Sequence, residues 1–360
     1  MEKTIANFSV KYLQILDEKG NCDEKQKPKL PNEEIKKIYE LLILTRVFDE
    51  KALNLQRQGR LGTYASVKGQ EACQIGSAIL LQAQDYIFPA FREHGVFLTL
   101  GIRPSVLFQY WGGDERGMQM PKNVNILPVS IPVGSHPIHA VGAAMAFNYL
   151  NKKSIAITYF GDGATSEGDF HEAMNFAGVF KAPVIFICQN NQFAISFPVK
   201  EQTAAETLAQ KAIAYGFEGI RIDGNDIFAV YQATKKAIEK ARAGKGPTFV
   251  ECFTYRMGDH TTSDDSIRYR SEKEVKLWEK KDPIERLKNY MLKNKIAEKN
   301  YFLQVRQKAE KLINDEVEIY EKIPVAAPDE IFNYVYASLT DELKEQLDDF
   351  KKEIQNQEDK

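Results

Sequence analysis

A chain of 360 residues with 43% apolar side chains carries enough hydrophobic material for a sizeable core, and its length fits about two domains. The formal net charge of −2 with no basic block argues against nucleic-acid binding, and four scattered cysteines without CxxC spacing argue against a zinc site or a disulfide framework. No apolar run approaches the ~20 residues of a membrane span. The opening MEKTIANFSV has neither a signal core nor an Arg-rich transit pattern, so a soluble protein of a reducing, cytoplasmic compartment is expected.

Residues 1–31 hold one short apolar patch (Phe8, Val10, Tyr12, Leu13, Ile15, Leu16) and then a charged, Lys- and Pro-bearing segment. They read as an arm lying on a partner or on the domain surface. Asn32 before Glu33 and Glu34 looks like a helix cap, and Ile35, Ile38, Leu41, Leu42 and Leu44 recur at helical spacing, which predicts a helix to about Gln58. A second helix is expected over Gly69 to Leu81. FPAFREHG (Phe88 to Gly95) follows a strand-like run. The planar fork of Arg92 suits phosphate oxygens, and equally a surface salt bridge. Gly112 to Pro121 is a polar, Gly-rich loop. Ser130 to Leu150 ends in a helix of small residues suited to close packing, expected against another subunit. His136, His139 and His171 read as hydrogen-bonded structural groups.

The central stretch begins with an apolar strand, Ser154 to Phe160, that stops at GDG. Gly161 and Gly163 let the backbone turn and approach a bulky anion, and a helix expected from about Ser166 offers N–H groups to phosphate. Asp162 repels such an anion unless a cation lies between them, which implies a hard, oxygen-liganded ion such as Mg²⁺. A second strand, Val184 to Cys188, ends at Asn190 and Asn191. Parallel strands deliver their carboxyl ends to one edge, so the Asn191 amide and the Phe193 carbonyl can join Asp162 on one ion, with diphosphate oxygens and a water completing six ligands. Beyond it, Thr203 to Tyr215 reads as helix, Gly219 to Asp223 as strand, Ile227 to Ala243 as helix and Thr248 to Tyr255 as strand. Strands alternating with helices predict an α/β fold, a parallel sheet flanked by helices. Tyr255 to Ser271 is a polar loop whose His260 titrates near neutral pH and can donate to an anion or shuttle a proton. From Glu272 the chain turns charged and helical. The expected organisation is an arm (1–31), an α/β domain (32–271) and a helical C-terminal region (272–360).

GDG followed by NN, with 26 residues between Gly163 and Asn190 (positions 164 to 189), resembles the thiamine diphosphate fingerprint. From Leu13 to the tail the chain is similar to the α subunit of the E1 component of 2-oxo acid dehydrogenase complexes, especially the Gram-positive pyruvate dehydrogenase type. The resemblance implies Mg²⁺ and thiamine diphosphate as cofactors, with Asp162, Asn191 and the Phe193 carbonyl on the metal and Arg92, Gly163, Ala164 and His260 around the diphosphate. It implies that Val133 is the apolar wedge folding the cofactor, that the Ile131 backbone faces the aminopyrimidine and that Tyr64 lies near the substrate. Phe91 stands where relatives often carry a Tyr, so a phenolic hydrogen bond is missing. Ser130 and Ser135 fit a potassium site of some relatives, but His136 replaces their Gln and no ion is assigned. Thr261 stands where eukaryotic relatives carry a phosphorylated Ser.

The carboxylic acid that meets the cofactor's pyrimidine lies on a separate β chain in this family. The resemblance therefore implies an α₂β₂ heterotetramer, inactive without β, that takes a small-molecule 2-oxo acid and passes the acyl group to the lipoyl domain of the E2 acyltransferase core. RQGRLGTYASVKGQEA resembles pyruvate enzymes, whereas TYRMGDHTTSDDSIRYRS echoes branched-chain ones. Pyruvate is the expected substrate; branched-chain 2-oxo acids and acetoin are the alternatives, and a non-catalytic scaffold is a further one that Asp162, Asn191 and His260 argue against.

Overall fold

The computed structural model describes residues 1–358. Its strands are β1 (Lys11–Leu13), β2 (Tyr86–Phe88), β3 (Asn125–Ile126), β4 (Ala156–Gly161), β5 (Val184–Asn190), the hairpin β6 (Phe193–Ala194) and β7 (Phe197–Pro198), β8 (Glu218–Asp223) and β9 (Thr248–Phe253). Its helices are α1 (Asn32–Arg57), α2 (Glu71–Ala78), α3 (His94–Thr99), α4 (Pro104–Trp111), α5 (His136–Tyr149), α6 (Gly168–Val179), α7 (Val199–Gln202), α8 (Ile227–Arg242), α9 (Glu272–Glu279), α10 (Pro283–Lys293), α11 (Lys299–Glu321) and α12 (Asp341–Glu358).

AITYFG and VIFICQN lack polar alternation because both faces of β4 and β5 are covered. They sit inside a seven-stranded sheet of order β1-β8-β9-β5-β4-β2-β3 in which every pairing is parallel. One face, through Phe160, Phe186, Cys188 and Phe249, packs on α5 and α6. The other meets α2 and α8, where Ser77 reaches the Tyr159 hydroxyl at 3.0 Å and a Cβ on Gly76 would lie 2.9 Å from Val230. Residues Met1–Val317 form one compact unit and the chain from Glu318 a second. In the latter, Lys351 pairs with Asp329 at 2.7 Å and the Phe332 and Phe350 rings meet. Among the described residues no helix is long and apolar enough to cross a membrane.

Three local expectations are corrected. The first 31 residues do not simply lie on a surface: β1 joins the sheet beside β8, and the Asp226 carboxylate accepts the N–H groups of Ile15 and Leu16 at 2.5 and 2.7 Å. The cap of α1 is Pro31 in an extended conformation, with Asn32 already helical and no side-chain cap bond. The helix expected over 203–215 is a 3₁₀ segment limited to Ala209–Tyr215. Its first N–H goes to the buried Glu251 carboxylate at 2.9 Å, which fixes where it starts.

Candidate functional site

Consecutive neighbours in the sheet, β9, β5, β4 and β2, present their carboxyl ends side by side. The loops that leave them carry His260 and Arg256, Asn191, Asp162, and Arg92 respectively, so residues far apart in sequence line one mainly apolar cavity of about 500 Å³. This is the edge at which open parallel sheets bind ligands.

Asp162 opens a 3₁₀ turn, Asp162–Ser166, and the helix expected from Ser166 begins only at Gly168. Its carboxylate is 1% exposed, and Oδ2 accepts a hydrogen bond from Gln202 Nε2 at 2.8 Å. Burial pushes its pKa up to about 6 against that bond. Arg256 acts on it only through space, and a buried carboxylate with no cation hydrogen-bonded to it is an environment that a bound cation completes. Neutral oxygens belong to residues lining the same cavity: the Asn191 side chain, whose Oδ1 accepts the Phe193 N–H at 3.3 Å and whose Nδ2 donates to Gln70 at 3.0 Å, and the Phe193 carbonyl. Among the described residues no three His, Cys, Asp or Glu side chains cluster as a metal group. An ion held here therefore takes one carboxylate and neutral oxygens, the mixture expected for Mg²⁺ completed by ligand oxygens. A Cβ on Gly163 would sit 2.8 Å from that of Ala194, so a side chain there would fill the cradle.

Two cationic side chains line the same cavity. Arg92, 6% exposed, donates to the Ser66 carbonyl at 2.6 Å and to the His260 carbonyl at 2.9 Å, and none of these partners is a carboxylate side chain. Burial first, then Arg256, push its pKa down to about 10. Arg256 donates to the Phe193 and Ile195 carbonyls at 3.1 and 2.7 Å and to Tyr269, and its buried Nε has no partner. Holding the Ile195 carbonyl keeps that β-branched residue at φ 56°, a conformation that costs on the order of 1–3 kcal/mol. His260 is held down to about 3 by burial, then by Arg92 and Arg256. Its loop is fixed by Arg270, which donates to the carbonyls of Arg256, Met257 and Gly258, and by Asp264, which accepts the His260 N–H at 2.8 Å. Two guanidinium groups with no carboxylate hydrogen-bonded to them thus bring positive charge to the cavity, which suits a phosphate group.

Phe91, Arg92, Ile131, Val133, Asp162, Gly163, Ala164, Asn191, Phe193 and His260 all line this cavity. The Phe91 ring stands edge-on to His260, 6.0 Å between centroids, and Ile131 and Val133 are about half exposed at the rim. Tyr64 is placed differently. It is fully buried with its hydroxyl on the Asp49 carboxylate at 2.8 Å, and its neighbours Thr63 and Ala65 form the wall in its stead. Asp49 also accepts Ser66 Oγ and the Val67 N–H, so this cluster shapes the loop whose Ser66 carbonyl meets Arg92. His136 is buried with Nε2 on the Tyr159 carbonyl, and the Ser130 and Ser135 hydroxyls bond each other at 2.9 Å. The sequence reading missed Gln202, Gln70 and the buried chain in which Gln189 donates to Glu93 and accepts from Gln74. Only contacts across the fold identify them.

Fold and cavity together define an α/β protein whose parallel sheet presents, at its carboxyl edge, cationic side chains beside oxygen donors of the kind that suit a hard cation. The model of the dehydrogenase E1 component family matches residues 39–329. A 3-methyl-2-oxobutanoate dehydrogenase subunit alpha of Mycobacterium tuberculosis is 44% identical over 325 residues, 90% of this chain and 89% of that protein. A pyruvate dehydrogenase E1 component subunit alpha of Acholeplasma laidlawii is 43% identical over 347 residues, 94% of this chain and 99% of that protein. One of Staphylococcus aureus is 41% identical over 341 residues, 94% and 92% respectively. The chain belongs to the dehydrogenase E1 component family and is an E1 α subunit.

Proposed function

We propose that this chain is the α subunit of a cytoplasmic, thiamine-diphosphate-dependent pyruvate dehydrogenase E1, which decarboxylates pyruvate and reductively acetylates the lipoyl group of its E2. One observation carries the cofactor reading. A buried carboxylate whose side-chain partner is a neutral amide, Asp162, and a buried guanidinium whose hydrogen bonds go to carbonyls and an imidazole, Arg92, line one cavity, and Mg²⁺ with a diphosphate would pair with both. The bound thiamine diphosphate supplies the electron sink for decarboxylation.

The chain's own residues bind and orient. Asp162, Asn191 and the Phe193 carbonyl hold Mg²⁺. Arg92 and the N–H groups around Gly163 and Ala164 take the diphosphate, and Val133 and Ile131 support the rings. His260, neutral with its proton on Nε2, donates to a diphosphate or substrate oxygen without bringing a second full charge beside two arginines. The half-exposed Ile131, Val133 and Ile195 leave an apolar rim, which supports a β subunit covering the site in an α₂β₂ assembly.

A second substrate reading rests on the 44% identity to the 3-methyl-2-oxobutanoate enzyme subunit. One extra methylene changes binding by only ~1 to 3 kcal/mol, so measurement decides. The chain co-expressed with an E1 β subunit, supplied with Mg²⁺ and thiamine diphosphate, is expected to reduce a dye with pyruvate and to be inactive without β. Preference for 3-methyl-2-oxobutanoate would replace pyruvate by the branched acid. Full activity of the chain alone would overturn the two-chain site.

A further inference from the structure

We infer that Gln202 is a positioning residue for the metal-binding carboxylate, clamping Asp162 to the loop that carries the backbone donor, the Phe193 carbonyl. The inference rests on the reading of Asp162 and the Phe193 carbonyl as metal ligands.

The two donors leave different strands. Asp162 follows β4, whereas Phe193 belongs to the hairpin that follows β5. Two oxygens serve one small ion only if their separation is fixed, because Mg²⁺ demands near-ideal octahedral geometry at about 2.0–2.1 Å. The segment from Gln192 to Gln202 is closed on itself. Phe193 pairs with Pro198 across the hairpin, the Val199 N–H returns to the Gln192 carbonyl at 3.0 Å, and Gln202 Nε2 returns to the Phe197 carbonyl at 3.3 Å. From this loop the Gln202 Nε2 makes one bond outward, to Asp162 Oδ2 at 2.8 Å. Among the described residues it is the only side chain hydrogen-bonded to that carboxylate.

The orientation of the amide follows from its partners. The Asp162 oxygen and the Phe197 carbonyl are both acceptors, so the NH₂ end must face them, and Oε1 is left for the Ser166 hydroxyl at 3.5 Å. The amide thus restrains the carboxylate through Oδ2. On the other side, Thr165 Oγ1 donates to the Asp162 carbonyl at 2.8 Å, and Lys211 Nζ holds Thr165 at its carbonyl and hydroxyl. The turn is thus fixed by its backbone, and among side chains Gln202 is the one that holds the carboxylate, beside backbone N–H groups of Asp162 and Asn191. Partners of metal ligands typically change metal affinity ten- to a hundredfold when removed.

The test uses the full chain assembled with an E1 β subunit and thiamine diphosphate, with Mn²⁺ as a paramagnetic probe for the Mg²⁺ position. Gln202→Leu, which keeps the volume and removes the donor, is expected to weaken Mn²⁺ binding by about tenfold or more, read from the free Mn²⁺ signal in electron paramagnetic resonance. In an Asp162→Asn background the same substitution is expected to add nothing, since the group it orients is already lost as an anion. Mn²⁺ affinity of Gln202→Leu within twofold of the parent, or losses that simply add, would overturn the inference. Asp162→Asn binding Mn²⁺ as tightly as the parent would overturn the metal reading on which it rests.

Discussion

Arg92 Nη2 lies 2.9 Å from the carbonyl oxygen of His260 and 3.2 Å from its Nδ1, across 168 residues of sequence. A guanidinium only donates, so Nδ1 accepts and the ring proton resides on Nε2. The contact therefore fixes the tautomer as well as the position of the histidine, and makes it a donor on the edge left free.

The same contact gives a pH dependence. His260 is held down to about 3 in the fold, against an ordinary value of 6.5. Between those values the unfolded chain binds a proton that the folded one does not, so this group's contribution to stability is lost as pH falls from 6.5 toward 3. In the cofactor-free protein, wild type is expected to lose stability relative to His260→Gln between pH 7 and pH 5 in urea melts. Parallel curves would contradict the assignment.

Arg92 lines the cavity with its guanidinium hydrogen-bonded to carbonyls and an imidazole rather than to a carboxylate. Arg92→Ala is expected to weaken thiamine diphosphate binding by roughly 10- to 100-fold, the ~1.5–3 kcal/mol of a hydrogen bond to a charged group. Arg92→Lys should recover little, because an ammonium lacks the fork that reaches two oxygens. Calorimetric titration of both variants reads this directly, and full recovery by Lys would show that charge alone suffices.

Asp162 should make metal binding proton-linked. Its pKa is raised to about 6 by burial, so the unliganded carboxyl is increasingly protonated below that pH and an incoming ion must displace the proton. Mg²⁺ affinity is expected to fall as pH drops through 6, with proton release detectable by calorimetry in two buffers of different ionisation enthalpy. Asp162→Asn should abolish that release; release persisting in the variant would point to another group.

The scaffold beneath the site depends on a buried ion cluster. Arg46 pairs with Glu71 at 2.6 Å and with Asp282 at 2.9 Å, and Glu71 also accepts the Gly69 N–H at the start of α2. Arg46→Met strands a fully buried carboxylate and is expected to cost about 3–5 kcal/mol in denaturant melts. Adding Glu71→Gln should restore part of that loss, and a double variant no more stable than the single one would argue against the pair.

Much of the architecture was legible locally. Unbroken apolar runs marked β4 and β5, glycines flanking Asp162 marked the turn, and a polar stretch after β9 marked the loop of His260, because strand periodicity and turn chemistry act over a few residues. Their approximate meeting place followed from the parallel alternation of strands and helices. Of two adjacent asparagines the sequence reading chose Asn191 for the ion, and the structure supplies the physical reason that Asn190 serves elsewhere. Successive residues of a strand point to opposite sides, and so the Asn190 amide goes to Glu251 at 2.7 Å while Asn191 lines the cavity.

What the tertiary structure alone decided depends on partners remote in the chain. Lys11–Leu13 became an edge strand because it pairs with Ile220, Arg221 and Ile222, and because Asp226 supplies acceptors to Ile15 and Leu16. Tyr64 turned inward because the Asp49 carboxylate on α1 takes its hydroxyl. Gln202 and Arg256 acquired their roles from the carboxylate and carbonyls that the folded sheet edge sets before them. The sequence by itself determined which chemistry is available at the sheet edge, since that is written in residue types and short-range geometry. Which oxygen each group faces was decided by packing, since a hydrogen bond between distant segments leaves no local period in the sequence.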